Sequence, residues 1–135
     1  NAPDGRRVPH LGLPGNPVSA LVALVEFGRP AIAKMRGTPP TPLPTVRAVL
    51  DDAVVNTDGR RVYARVSLRR EADGLRARLA GPQGSNILTS MELAQGLAIC
   101  PEELKRRDVG ETVVVQLFDW RDHSALLTDE LDITK

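Results

Sequence analysis

Apolar and polar residues alternate through the second half of this chain and recur at helical spacing in the first. Val62, Ala64, Val66 and Leu68 alternate with Arg61, Tyr63, Arg65, Ser67 and Arg69, the period of a strand with one buried face. Leu75, Ala77 and Leu79 alternate with Arg76, Arg78 and Ala80, and Asp73-Gly74 between the two runs predicts a tight hairpin turn. Thr45–Val55 reads as a preceding strand, ended by the turn residues Asn56-Thr57-Asp58-Gly59. Leu97–Cys100 reads as a short strand stopped by Pro101, and Glu111–Leu117 as a valine-rich one. Ile87–Ala94 fits one or two helical turns. Several short strands with regular turns predict a small barrel or sandwich.

The first part follows another period. Residues 8–13 read as a short strand ending at Pro14, and residues 17–36 as a helix. Val18, Leu21, Val22, Leu24 and Val25 cover most of its circumference, so it expects burial on several sides. Pro30 has no amide to donate, which predicts a kink or restart near Gly28–Pro30. Gly37 follows the basic turn Lys34-Met35-Arg36, where a C-terminal cap belongs. Asn16 is placed to cap the helix start, and Pro17 fits its first turn. Thr38–Pro44 holds four prolines in seven residues, a stiff extended spacer. The expected organisation is therefore a strand–helix piece over 1–37, a linker over 38–44, a β-barrel domain over 45–120 and a tail over 121–135. That tail is expected to be mobile or to dock on a neighbour.

Composition removes several classes of function. The net charge of +1 gives no bulk field for nucleic acid or a membrane surface, and 3% aromatic content leaves little for base stacking. The lone Cys100 permits no internal disulfide, and His10 and His123 are too far apart in sequence to suggest a zinc cluster. Val18–Phe27, the longest apolar run, contains Ser19 and Glu26 and is too short to span a bilayer. With no secretory pattern ahead of it, a cytoplasmic location is expected; the Asn1-Ala2 start reads as a processed end.

Candidate chemistry is sparse. Tyr63, Arg65, Arg69, Arg76 and Arg78 share one predicted outward face, which suits phosphate but also suits a solvated exterior balanced by Asp51, Asp52, Glu71 and Asp73. Gly81–Asn86 is a polar glycine-bearing loop able to offer amides and the Ser85 hydroxyl to an oxyanion, or simply to connect strands. Ser90 reads as a residue that caps or solvates a helical turn, and Cys100 as a small core residue. Asp51 and Asp52 are adjacent on a predicted strand, so they would face opposite ways and be poor joint metal ligands. No nucleophile elbow surrounds either serine.

Together, these blocks resemble a known family. Gly12-Leu13-Pro14-Gly15-Asn16-Pro17-Val18-Ser19-Ala20, followed by Arg29-Pro30-Ala31 and Lys34-Met35-Arg36-Gly37, resembles the molybdopterin molybdenumtransferases, the family of MoeA and the gephyrin E domain. Gly59-Arg60-Arg61-Val62-Tyr63-Ala64-Arg65 is similar to its Gly-Arg-x-x-aromatic-x-Arg strand. Gln83–Met91 is similar to its Gln-x-Ser-x-x-Leu-x-Ser block. Ala94-Gln95-Gly96-Leu97 through Pro101 is similar to its Ala-Asn-Gly-Leu segment, with Gln95 in place of Asn, and Gly110-Glu111-Thr112-Val113 to a strand start. The resemblance covers about residues 11–118.

The resemblance implies a mainly β chain: a C-terminal β-barrel domain preceded by a strand–helix remnant of an α/β molybdopterin-binding domain. The whole enzyme would insert molybdate into adenylylated molybdopterin with release of AMP, using Mg2+, as a homodimer with its active site between subunits. Pro14, Gly15, Asn16, Pro17 and Ser19 would match the substrate loop, and Arg60 and Ser85 the molybdate contacts. The family's glycine-rich phosphate loop and upstream acidic and lysine residues are not in this chain. Neither catalytic residues nor metal ligands are therefore assigned here, no bound cofactor is expected, and the chain by itself is expected to be inactive. The helix, deprived of its sheet, is expected to pack on the barrel or a partner, or to stay disordered. The alternative is a non-catalytic β-barrel interaction or dimerisation module; a nucleic-acid-binding barrel is more remote.

Overall fold

A computed structural model describes residues 3–84 and 88–118 together with 123, 124 and 126. The chain divides into two compact units, Asn1–Thr41 and Pro42–Lys135, and the division falls in the proline-rich run.

In the first unit, helix α1 (Pro17–Ala23) runs into a π-helical turn (Leu24–Gly28) and then into α2 (Arg29–Met35). Pro30 has no N–H for the Glu26 carbonyl, and the widened turn just before it accommodates that gap. The end of α2 is a Schellman cap. Gly37 has φ +73°, its N–H donates to Lys34 O at 3.1 Å, and the Thr38 N–H donates to Ala33 O at 3.0 Å. Residues 8–13 form no strand, contrary to the sequence expectation. A strand needs a laddered neighbour, and no described segment pairs with this one.

In the second unit, five strands close a barrel in the order β1-β4-β3-β5-β7: β1 (Thr45–Leu50), β4 (Gly74–Leu79), β3 (Val62–Glu71), β5 (Gly96–Cys100) and β7 (Thr112–Leu117). All neighbours are antiparallel except β1 and β4, which meet in parallel at Val49–Arg76 and Leu50–Ala77. β3 is long enough to serve two neighbours, pairing with β5 through its first half and with β4 through its second. Val46, Val66, Ala77, Ala98 and Val115 fill the interior, all essentially fully buried. Beside the barrel, β2 (Val54–Val55) pairs with β6 (Arg106–Arg107), and the short helix α3 (Thr89–Leu93) packs on β3.

Several expectations need correction. The predicted strand 45–55 is broken at Asp51-Asp52, where the chain bends and hands β2 to a different partner, the unanticipated β6. In the β3–β4 hairpin, Glu71 already pairs with Gly74, so the turn is Ala72-Asp73 and Gly74 begins β4 with φ +129°. Of the tail, His123, Ser124 and Leu126 are described: Leu126 joins the barrel core, and its carbonyl accepts from Arg70 Nε at 2.6 Å. The His123 ring nitrogen Nε2 lies 2.8 Å from Phe118 O.

Candidate functional site

The residues singled out from sequence fall in both units, each described here by itself. In the first, Pro14, Gly15 and Pro17 are exposed at the start of α1. Asn16 is its cap: the backbone is extended (φ −75°, ψ 124°), Oδ1 accepts from Ser19 N at 3.4 Å and the carbonyl accepts from Ala20 N at 2.8 Å. A Cβ on Gly15 would meet nothing within 4 Å, so the glycine answers no crowding within this chain.

In the barrel unit, Arg60 closes the turn that leads into β3. Its side chain is exposed and makes no hydrogen bond or ion pair with any other described residue. The turn itself is held on both flanks by the segment after β5. On one side Asn56, read from sequence as a turn residue, is 3% exposed; its Nδ2 donates to Leu104 O at 2.9 Å and Pro101 O at 3.3 Å. On the other, Arg61 pairs with Glu102 at 3.1 Å, and Glu102 is held below the usual carboxylate range by a bond to its own backbone and by Arg61. Among the described residues Arg60 is thus a cation without a partner on a braced turn.

Ser85 and Asn86 lie outside the described residues, but the stretch leading to Ser85 is well defined. Arg65, expected on the outer surface, is only 4% exposed. The outer face of β3 is covered at this point by α3 and by residues 81–84. Arg65 Nε donates to Ser90 Oγ at 2.7 Å, and Nη2 donates to Pro82 O at 3.1 Å and Gly84 O at 3.0 Å. Ser90 is correspondingly buried at 1% rather than solvating its helix. The Gln83 side chain answers from the loop: Oε1 accepts from Arg65 N at 2.8 Å, and Nε2 donates to Arg65 O at 3.2 Å and Gly81 O at 2.9 Å. Burial lowers the Arg65 pKa from its usual value, though a guanidinium stays charged at neutral pH. No signal in the sequence alternation distinguishes Arg65 from its outward neighbours.

The remaining arginines of the predicted basic face are engaged by acids. Arg69 pairs with Asp51 at 3.1 Å and with Glu71, Arg76 with Glu71 at 3.3 Å, and Arg78 approaches Asp52 at 4.0 Å. Arg69 and Arg78 border a hollow of about 550 Å³ lined also by Asp51, Asp52, Ser67 and Leu68. At the bend the two aspartates line the same hollow rather than facing opposite ways. Asp52 Oδ2 also accepts from Leu79 N at 3.0 Å. Both carboxylates are occupied, and among the described residues no three His, Cys, Asp or Glu side chains gather as a divalent cation requires. The described residues therefore do not fit the Mg2+ that the resemblance implies. Cys100 is buried in the core as expected, and burial pushes its thiol pKa up. No helix among the described residues is long and apolar enough to cross a membrane.

Residues 47–118 match the family described as the MoeA C-terminal region (domain IV). Over 111 residues the chain is 35% identical to a molybdopterin molybdenumtransferase 2 of Mycobacterium tuberculosis, covering 82% of this chain and 26% of the relative. It is 30% identical over 113 residues to the molybdopterin molybdenumtransferase of Haemophilus influenzae, covering 80% and 27%. Among solved structures, a molybdopterin biosynthesis MoeA protein from Pyrococcus horikoshii aligns with TM-score 0.64 and 28% identity over 77% of this chain and 26% of that one. A molybdenum cofactor biosynthesis protein from Pyrococcus furiosus aligns with the same score and 31% identity, over 77% and 36%. The chain spans about a quarter of the length of the curated relatives it matches.

Proposed function

This chain belongs to the MoeA family through its C-terminal region, and on that premise we propose that it supplies part of a molybdenum-insertion site in a longer molybdopterin molybdenumtransferase. The observation that carries the reading is Arg60. It is an exposed guanidinium with no acidic partner among the described residues, on a turn fixed at both flanks and inside the matched span. A tetrahedral dianion such as molybdate suits such a group, because charge-assisted N–H···O bonds are the stronger ones and a held backbone loses little freedom on binding. Ser85 would add a neutral donor. In the first unit, Pro14, Gly15, Asn16, Pro17 and Ser19 would form a wall against adenylylated molybdopterin, and the open space at Gly15 leaves room for a ligand to approach. The rest of the site, with its Mg2+ ligands, would come from outside this chain and from the second subunit of a homodimer, at a cytoplasmic location. The site would then work by holding oxyanion and pterin together, with AMP as leaving group.

The test is molybdate-dependent AMP release by the full-length protein. Arg60→Ala and Ser85→Ala are expected to raise the KM for molybdate at least tenfold while adenylylated molybdopterin still binds. Wild-type kinetics in both variants would overturn the assignment. The chain alone is expected to insert no molybdenum.

A further inference from the structure

Arg65 is the one buried arginine among the described residues of the barrel unit. Arg61, Arg69, Arg76, Arg78, Arg106 and Arg107 each have a carboxylate within ion-pair distance. Arg65, the most buried of them, bonds two carbonyls and a hydroxyl and pairs with no carboxylate among the described residues. A buried cation without a counter-charge is a costly fastening, since an apolar side chain of similar volume would pack there without loss of hydration.

The contacts are also reciprocal. β4 ends at Leu79, and after the bond from Ala80 N to Arg65 O at 2.9 Å there is no further strand to pair with β3 on that side. The primary amide of Gln83 takes the place of that strand, accepting from Arg65 N and donating to Arg65 O. In return the Arg65 guanidinium holds the carbonyls on either side of Gln83, those of Pro82 and Gly84. Two residues thus fix each other's backbone, one residue short of Ser85.

We infer that Arg65 and Gln83 form a positioning clamp for the oxyanion site: they fix the backbone of residues 82–84, which leads to Ser85, and hold there a guanidinium with no carboxylate partner among the described residues. This rests on the molybdate assignment made above. The charge favours an anion near this loop, and the planar guanidinium directs Nη2 to the carbonyls on either side of Gln83 while Nε is held by Ser90, an orientation a point charge does not fix. Arg65 and Gln83 are not placed in contact with substrate.

The experiment uses the full-length protein and molybdate alone, with affinity read by calorimetry, beside affinity for the adenylylated pterin. Gln83→Ala leaves the buried arginine in place, and Arg65→Lys keeps the charge but removes the fork. Arg60→Ala is the reference. Both clamp variants are expected to weaken molybdate binding at least fivefold with pterin affinity unchanged. Molybdate affinity within twofold of wild type in Gln83→Ala, when Arg60→Ala weakens it, overturns the clamp. Equal loss of molybdate and pterin binding also overturns it, because a merely structural defect would do that. No effect of Arg60→Ala overturns the site assignment and this inference with it.

Discussion

A Cβ added to Gly96 would lie 2.5 Å from the carbonyl oxygen of Gln116 and 2.9 Å from Cγ1 of Val115. Gly96 opens β5 where that strand meets both β3 and β7, opposite Val66 and Leu117. The nearest atom belongs to backbone, so no rotamer change relieves the contact. Gly96→Ala is expected to lower stability by about 1–3 kcal/mol or more, as overpacking of a closed core does. Urea unfolding of the barrel checks this; a midpoint equal to wild type would mean that β5 and β7 separate at no cost.

Asp51 and Asp52 are neighbours with different work. Asp51 pairs with Arg69, which is more than half exposed, and such pairs contribute little. Asp52 accepts the Leu79 amide at the end of β4, where no strand neighbour replaces it. Asp52→Ala is expected to cost about 1 kcal/mol, and Asp51→Ala less than that. The same unfolding series ranks them, and the reverse order would refute the assignment.

Cys100 predicts the alkaline limit of the barrel. Burial raises its folded pKa above the unfolded value of about 8.5. The buried neutral thiol therefore adds stability fully below the unfolded pKa, and that contribution is lost as pH rises through the folded one. Stability measured between about pH 8 and 10 is expected to fall less steeply in Cys100→Ala than in wild type. In the native state a thiol-disulfide reagent is expected to react with Cys100 only on unfolding; rapid reaction at pH 8 would contradict its burial.

The helical unit exposes large apolar side chains, with Phe27 at 64% and Met35 at 72%. Phe27→Ser with Met35→Ser is expected to reduce binding of an apolar fluorescent dye by the chain while leaving the barrel's unfolding midpoint unchanged. Undiminished dye binding would place the accessible apolar surface elsewhere.

The strands β3, β4, β5 and β7 were legible because a face packed against a core forces period-two alternation into the sequence. The helix ends were legible too, since caps are local: Asn16 and Gly37 act through backbone within five residues. Residues 8–13 carried a strand pattern but have no laddered partner among the described residues, and pairing is never a property of one segment.

The sequence by itself determined the barrel class, the position of the cap at Asn16 and the family. These follow from periodicity, local hydrogen bonding and the order of short motifs. Only the tertiary structure decided that Arg65 is inside, that Ser90 receives it, that Asp51 and Asp52 line one hollow, and that Asn56 braces the turn carrying Arg60. Each depends on contacts between segments 17 to 48 residues apart. Alternation tells a residue which side of its own strand it occupies, but not what comes to cover that side.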